Sequence, residues 1–290
     1  MSTHREQAAA AGASEQDGRP GTAGPDRAAG FTEDEEPLAV RYERGPDGIG
    51  WLTIDRPEAA NALDARARRQ LWHALERFRD DEAAAVLVMT GAGDKAFCAG
   101  GDLKEMATTE LRVPPPDFLP YLNRTFPLDK PVIAAVNGVA LGGGFLLAQM
   151  ADLCVAAEHA TFGITEAKWG RGAPWAAPLP WLIPPRIALE MLMTGEPIPA
   201  ARAHELGLVN SVVPADRLRA TAVTLAARIA ANAPLSVRAS KAMVYAAAER
   251  GWREALDEAD RIFEPVYLSD DAQEGPRAFR ERRAPRWTGS

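Results

Sequence analysis

Glu166 lies downstream of two glycine-rich turns, and the three together have the parts of a site that gathers negative charge on a carbonyl oxygen and moves a proton beside it. The first part is Gly142-Gly143-Gly144, which follows the apolar run Ile133 to Val136 and Asn137-Gly138 and precedes a stretch of helical composition, Phe145 to Met150. Glycine lets backbone N–H groups approach a ligand with no Cβ in the way, and a helix start leaves its first N–H groups without intrahelical acceptors, so negative charge is favoured there. The second part is Thr90 to Met106, which follows the β-type run Ala85 to Met89 and holds the pair Gly100-Gly101. Each turn could supply one N–H to a shared oxygen, and one such donor is worth roughly 3–4 kcal/mol in a transition state. Taken alone, either glycine turn would read as an ordinary tight turn.

These parts need elements to hold them. Tyr42 and Ile49 to Ile54 suggest a hairpin around Gly45-Pro46-Asp47-Gly48, and Asp64 can cap a helix whose Leu71, Leu75 and Phe78 share one face. Strands are expected at 85–89, 132–136, 153–157 and 209–212, with helices near 143–151, 186–193 and 200–206. This alternation indicates an α/β core with mainly parallel strands. Past Pro214 the pattern becomes helical, over 215–231, 235–250 and 252–264, with breaks at Pro234 and Gly251.

The chain resembles the enoyl-CoA hydratase/isomerase (crotonase) superfamily from about Leu38 to Trp287. The resemblance rests on Asp55-Arg56-Pro57 with Asn61-Ala62-Leu63, on Ala96-Phe97-Cys98-Ala99-Gly100-Gly101-Asp102-Leu103, and on Lys130 to Gly138 with the triple glycine. It continues through Ala160-Thr161-Phe162-Gly163, Glu166, Thr194-Gly195, Gly207-Leu208-Val209-Asn210, Glu274-Gly275 and Phe279. It implies a crotonase-like spiral ββα core over residues 37–213, and a C-terminal helical region, 214–290, that joins subunits into a homotrimer or a dimer of trimers. It also implies an acyl-CoA thioester substrate, with CoA as part of that substrate and no further cofactor. The oxyanion donors it implies are the N–H groups of Ala99 and Gly143, with Glu166 as acid/base. The substrate would be lined by Ala96, Phe97, Gly100, Asp102, Leu103, Gly142, Leu146, Trp169, Pro174 and Trp175. Phe162, Ile164 and Trp169 could give Glu166 the apolar setting that brings its pKa nearer neutrality.

Two departures from the family pattern bear on mechanism. Hydratases of the usual type carry a second glutamate two residues after the triple glycine, and Leu146 stands there. The family's Pro-Gly-x-Gly-Gly loop is replaced by Ala173-Pro174-Trp175-Ala176-Ala177, which would stiffen and fill the acyl pocket. With one carboxylate, hydration by Glu166 alone, as in hydroxycinnamoyl-CoA hydratase-lyases, stays open beside Δ3–Δ2 isomerisation by a one-base shuttle. Another acyl-CoA reaction and a non-catalytic scaffold that retains the fold also stay open. A peptidase of the related Clp type would need a Ser, His and Asp set that cannot be assembled here.

Composition sets the remaining bounds. At 290 residues and 47% hydrophobic, the chain can bury a core of domain size. Residues 1–36, rich in Ala, Gly, Glu, Asp and Pro, are expected to be a disordered tail with no apolar run for a signal peptide or membrane span, so a soluble, cytoplasmic protein is expected. A net charge of −7 argues against nucleic acid, and Arg66, Arg68 and Arg69 read as a solvated helix face. Cys98 and Cys154 read as reduced structural thiols. Asp102 reads more readily as a helix cap than as a catalytic group. Lys104, Arg280, Arg282, Arg283 and Arg286 could meet CoA phosphates or be solvated charge. The triple glycine lacks the GxGxxG spacing of a dinucleotide site, and no metal-ligand cluster is visible.

Overall fold

The computed structural model describes residues 38–290, and the expected tail over 1–36 lies outside them. The chain enters as an antiparallel hairpin, β1 (Val40–Arg44) and β2 (Ile49–Ile54), followed by helix α1 (Ala65–Asp80). Asp64 caps α1 as expected, its side chain accepting from Ala67 N at 2.8 Å. Leu71, Leu75 and Phe78 are fully buried on its inner face.

A unit of strand, tight turn and short crossing strand then repeats three times, with a helix or helical turn after each. It runs β3 (Val86–Gly91), β4 (Ala96–Cys98), α2 (Leu103–Thr109); then β5 (Val132–Val136), β6 (Val139–Leu141), α3 (Gly143–Met150); then β7 (Leu153–Ala157), β8 (Thr161–Gly163) and a 3-10 turn, Glu166–Trp169. The longer strands join one sheet in the order β1-β2-β3-β5-β7-β10, and the short ones a second sheet in the order β4-β6-β8-β9. From β2 onward the large sheet is parallel, whereas β9 returns antiparallel on β8.

The turns between the two sheets are tied by side chains. Asn137 Nδ2 donates to the carbonyls of Gly91, Gly93 and Ala96, and its Oδ1 accepts from Gly91 N at 3.0 Å. Fully buried Asn61 accepts from Arg56 N and donates to the carbonyls of Ala92 and Ala96. These amides satisfy backbone groups that the sheets leave open where the chain changes sheet.

A 3-10 turn at Pro174–Ala176 leads into α4 (Leu179–Leu182), α5 (Pro185–Thr194), β9 (Ile198–Pro199), α6 (Ala200–Glu205) and β10 (Ser211–Val213). Four helices finish the chain: α7 (Leu218–Ala230), α8 (Pro234–Ala248), α9 (Trp252–Leu268) and α10 (Asp270–Glu281). Alternate residues of the parallel strands face opposite layers. Leu87, Met89, Ala134 and Val136 join α1 and α3 in the larger core, while Val86, Val88, Ile133, Ala135 and Val155 pack against Leu218, Ala222 and Ala226 of α7. Helix α7 therefore shares a core with the strands. Beyond α7 the apolar side chains turn outward, with Trp252 and Phe279 each 87% exposed and Leu268 80%.

Candidate active site

The two glycine turns meet. Gly142 sits at φ +53°, ψ −122°, a conformation essentially reserved for glycine, and caps α3 with its own N–H bonded to Gly163 O at 3.0 Å. Gly144 lets α3 press onto β4, since a Cβ there would fall 2.0 Å from the Cys98 carbonyl oxygen. Gly100, at φ +95°, lies so close that a Cβ would stand 2.9 Å from Leu141 O and 3.2 Å from the Gly143 nitrogen. As the first residue of α3, Gly143 has an N–H with no intrahelical acceptor. Leu119 Cδ1 covers it, 3.0 Å from where a Gly143 Cβ would be.

The partner donor differs from the expectation. Ala99 N–H is engaged with Ala60 O at 3.1 Å, so it is not free for a ligand. Leu63 then brackets the next residues: its N–H bonds Gly100 O at 2.7 Å and its carbonyl accepts from Asp102 N at 3.2 Å. Between these bonds the Gly101 N–H has no acceptor among the described residues. Of the two N–H groups, the one left open to a ligand is that of Gly101 and not that of Ala99.

Glu166 opens its 3-10 turn just after β8, with Oε1 3.1 Å from the Cβ position of Gly142. Its Oε2 is buried and has no hydrogen-bond partner. Burial pushes the carboxyl above its ordinary range, while the N–H groups of Glu166 and Thr165 and the Trp175 side chain pull against that rise. Phe162 and Ile164 are buried nearby as expected, but Trp169 is 61% exposed and does not enclose the carboxylate. Trp175 takes that place. It is buried, its ring meets Phe145 edge-on at 6.0 Å, and its carbonyl accepts from Gln149 Nε2 at 3.1 Å. Phe145 in turn meets Phe162 at 6.1 Å.

Other expected lining residues divide by burial. Ala96 and Phe97 are interior residues of β4, and the Ala96 carbonyl is held by Asn61 and Asn137. Asp102 caps α2, accepting from Lys104 N at 3.0 Å and Glu105 N at 3.3 Å, and also pairs with Arg56. Leu103 and Pro174 are exposed, and Leu146 is fully buried in α3. Burial pushes the Cys98 and Cys154 thiols up to about 12, which suits inert core residues. Sequence reasoning missed Gly101, Leu119 and Gln149; only Gly101 had a sequence signal, its place in the glycine pair. Among the described residues no group of three or more His, Cys, Asp or Glu could hold a metal ion, and no helix is long and apolar enough to cross a membrane.

Comparison with known proteins gives a consistent result. The profile of the family described as enoyl-CoA hydratase/isomerase matches residues 44–290. The chain is 44% identical over 248 residues to a carnitinyl-CoA dehydratase of Salmonella typhi, covering 82% of this chain and 94% of that protein. It superposes on a crystal structure of an enoyl-CoA hydratase from Mycobacterium tuberculosis H37Rv with a TM-score of 0.79 and 41% identity, covering 87% of this chain and 99% of that one. An enoyl-CoA hydratase from Bacillus anthracis gives a TM-score of 0.79 at 32% identity, over 87% of this chain and 100% of that one.

Proposed function

This chain belongs to the enoyl-CoA hydratase/isomerase family and is an acyl-CoA-acting enzyme of the crotonase fold, and we propose that it adds water to, or removes it from, the C2–C3 bond of an acyl-CoA with Glu166 as its one acid/base. The observation that supports this most is the Glu166 carboxylate itself, half-buried beside Gly142 with Oε2 unpartnered and its pKa raised. In the hydration direction Oε2 takes a proton from water as the water oxygen bonds to C3. The C2=C3 electron pair moves toward the thioester, and the resulting enolate oxygen is held by the N–H groups of Gly101 and Gly143. Glu166 then returns the proton to C2, which regenerates the carboxylate and leaves a 3-hydroxyacyl-CoA. The reverse sequence is a dehydration, the reaction named for the Salmonella relative.

Leu146 favours one competing reading. A one-base shuttle, in which Glu166 moves a proton from C2 to C4, needs no second carboxylate to orient water. Turnover of 2-enoyl-CoA and 3-enoyl-CoA in H₂¹⁸O, read by mass spectrometry, separates the two. ¹⁸O at C3 supports the hydratase, double-bond migration without ¹⁸O supports the isomerase, and silence on every substrate would overturn both.

The reading requires only the CoA already present in the substrate and a cytoplasmic setting where acyl-CoA is made. The outward apolar residues Trp252, Leu256, Tyr267 and Leu268 of α9 and Phe279 of α10 suit burial between copies in a homotrimer or a dimer of trimers. Light scattering on the purified protein tests it, and a monomer at micromolar concentration would refute it.

A further inference from the structure

Gln149 is buried, at 8% exposure, and its two amide ends are treated differently. Nε2 donates to the Trp175 carbonyl at 3.1 Å, which fixes which way the amide points. Oε1 is buried with no partner. Buried side-chain acceptors are nearly always paired, because leaving one dry forfeits its hydration. The nitrogen end explains why an amide sits here, and the oxygen end is left without a structural reason.

Its surroundings supply one. Gly142, Leu146 and Gln149 follow at spacings of four and three residues, so they share a face of α3, the face that meets Glu166 at its upper end. Trp175 links both ends of that face, through its carbonyl to Gln149 and through its side chain to Glu166. Glu166 and Gln149, each with one unpartnered buried oxygen, thus both contact the same tryptophan. Gln149 is six residues beyond Gly143, a rise of about 9 Å along the helix, and its side chain leans back toward the helix start. A medium-length acyl chain running along this face from a thioester at the glycine turns would cover that span or less.

We propose that Gln149 is a specificity-determining residue, and that Oε1 accepts a hydrogen bond from a hydroxyl carried far along the acyl chain of the substrate. The proposal rests on the acyl-CoA reading above and narrows it to acyl-CoAs with a distal hydrogen-bond donor. A site built around an unpaired acceptor rejects a ligand lacking the donor more strongly than a purely apolar pocket could.

Isothermal titration of the purified full chain with ω-hydroxyhexanoyl-CoA and with heptanoyl-CoA, equal in chain length, tests this without requiring turnover. The hydroxylated ligand is expected to bind wild type about tenfold tighter or more. Gln149→Met, similar in volume and with no carbonyl, is expected to lose that preference. Equal affinities in wild type would overturn the proposal and leave the acyl-CoA reading intact, as would a preference that survives in folded Gln149→Met. No binding of either ligand would overturn the acyl-CoA reading and this inference with it. The wild-type comparison stands whether or not the variant folds.

Discussion

Replacing Gly142 with alanine should separate backbone geometry from stability. Gly142 holds φ +53° with ψ −122°, and a Cβ added there would stand 3.1 Å from Glu166 Oε1, close enough to displace the carboxylate by a few tenths of an ångström. The conformation costs an L residue roughly 1–3 kcal/mol. For a chain of this size that corresponds to a melting point lower by about 2–12 °C. The same substitution moves the two groups the chemistry needs, the N–H of Gly143 that Gly142 aims and the Glu166 carboxylate. Losing one oxyanion donor alone costs about 10²–10³ in rate, so kcat/KM of Gly142→Ala should fall by at least about 10². Gly207 supplies the control. It also has positive φ, at +84°, but a Cβ there meets nothing within 4 Å. Gly207→Ala should lose comparable stability, about 1 kcal/mol, and keep its activity. Thermal melts and steady-state kinetics on both variants decide the matter. A folded Gly142→Ala protein with activity within a few-fold of wild type would refute the assignment, and so would a Gly207→Ala protein that loses as much.

Three further outcomes are expected. Glu166→Gln should lower kcat by about 10²–10⁴, and the acid limb of the wild-type pH–rate profile should lie above the ordinary carboxyl value of 4.5 and vanish in the variant. Because burial raises that pKa in the folded state, the ionised carboxylate weakens the fold at neutral pH, and the penalty fades as pH falls toward the unfolded value; urea melts should find Glu166→Gln more stable than wild type near neutrality and not in acid. Neither Cys98 nor Cys154 should react with a thiol reagent at neutral pH until the protein is unfolded, since burial pushes both up to about 12. Asn137→Ala removes four hydrogen bonds to backbone groups at the sheet crossover and should cost about 2–4 kcal/mol in urea.

The large sheet was legible because its strands are continuous apolar runs, and 132–136 and 153–157 appear with the boundaries their residues suggest. The second sheet was not, because strands as short as Ala96–Cys98 and Val139–Leu141 show no period and owe their place to turns held by Asn61 and Asn137. Helix α10 was hidden by Gly275 and Pro276, which stand inside it. In the site, resemblance pointed to Glu166 and Gly143 and put the second donor at Ala99, whose N–H is already bonded to Ala60 O. In a regular strand Ala99 and Gly101 would point their N–H groups to one side; the positive φ of Gly100 turns the chain between them, and a sequence does not display that reversal. The sequence marked Trp175 as a lining residue but not its contact with Glu166 or the bond from Gln149 to its carbonyl, which join residues distant along the chain.

The strand order β1-β2-β3-β5-β7-β10 has a consequence for how the chain is made. The spatial sequence of the large sheet repeats the order of synthesis, and so does that of the smaller sheet. Each strand leaving the ribosome can therefore add to a free edge, and none has to wedge between two strands already paired. The cover arrives late, because the layer formed by Ile49, Val86, Val88 and Ile133 is closed only by α7, which ends at Ala230. A nascent chain stopped between β7 and α7 would present one whole sheet face to solvent, and that interval is where a chaperone has the most to shield.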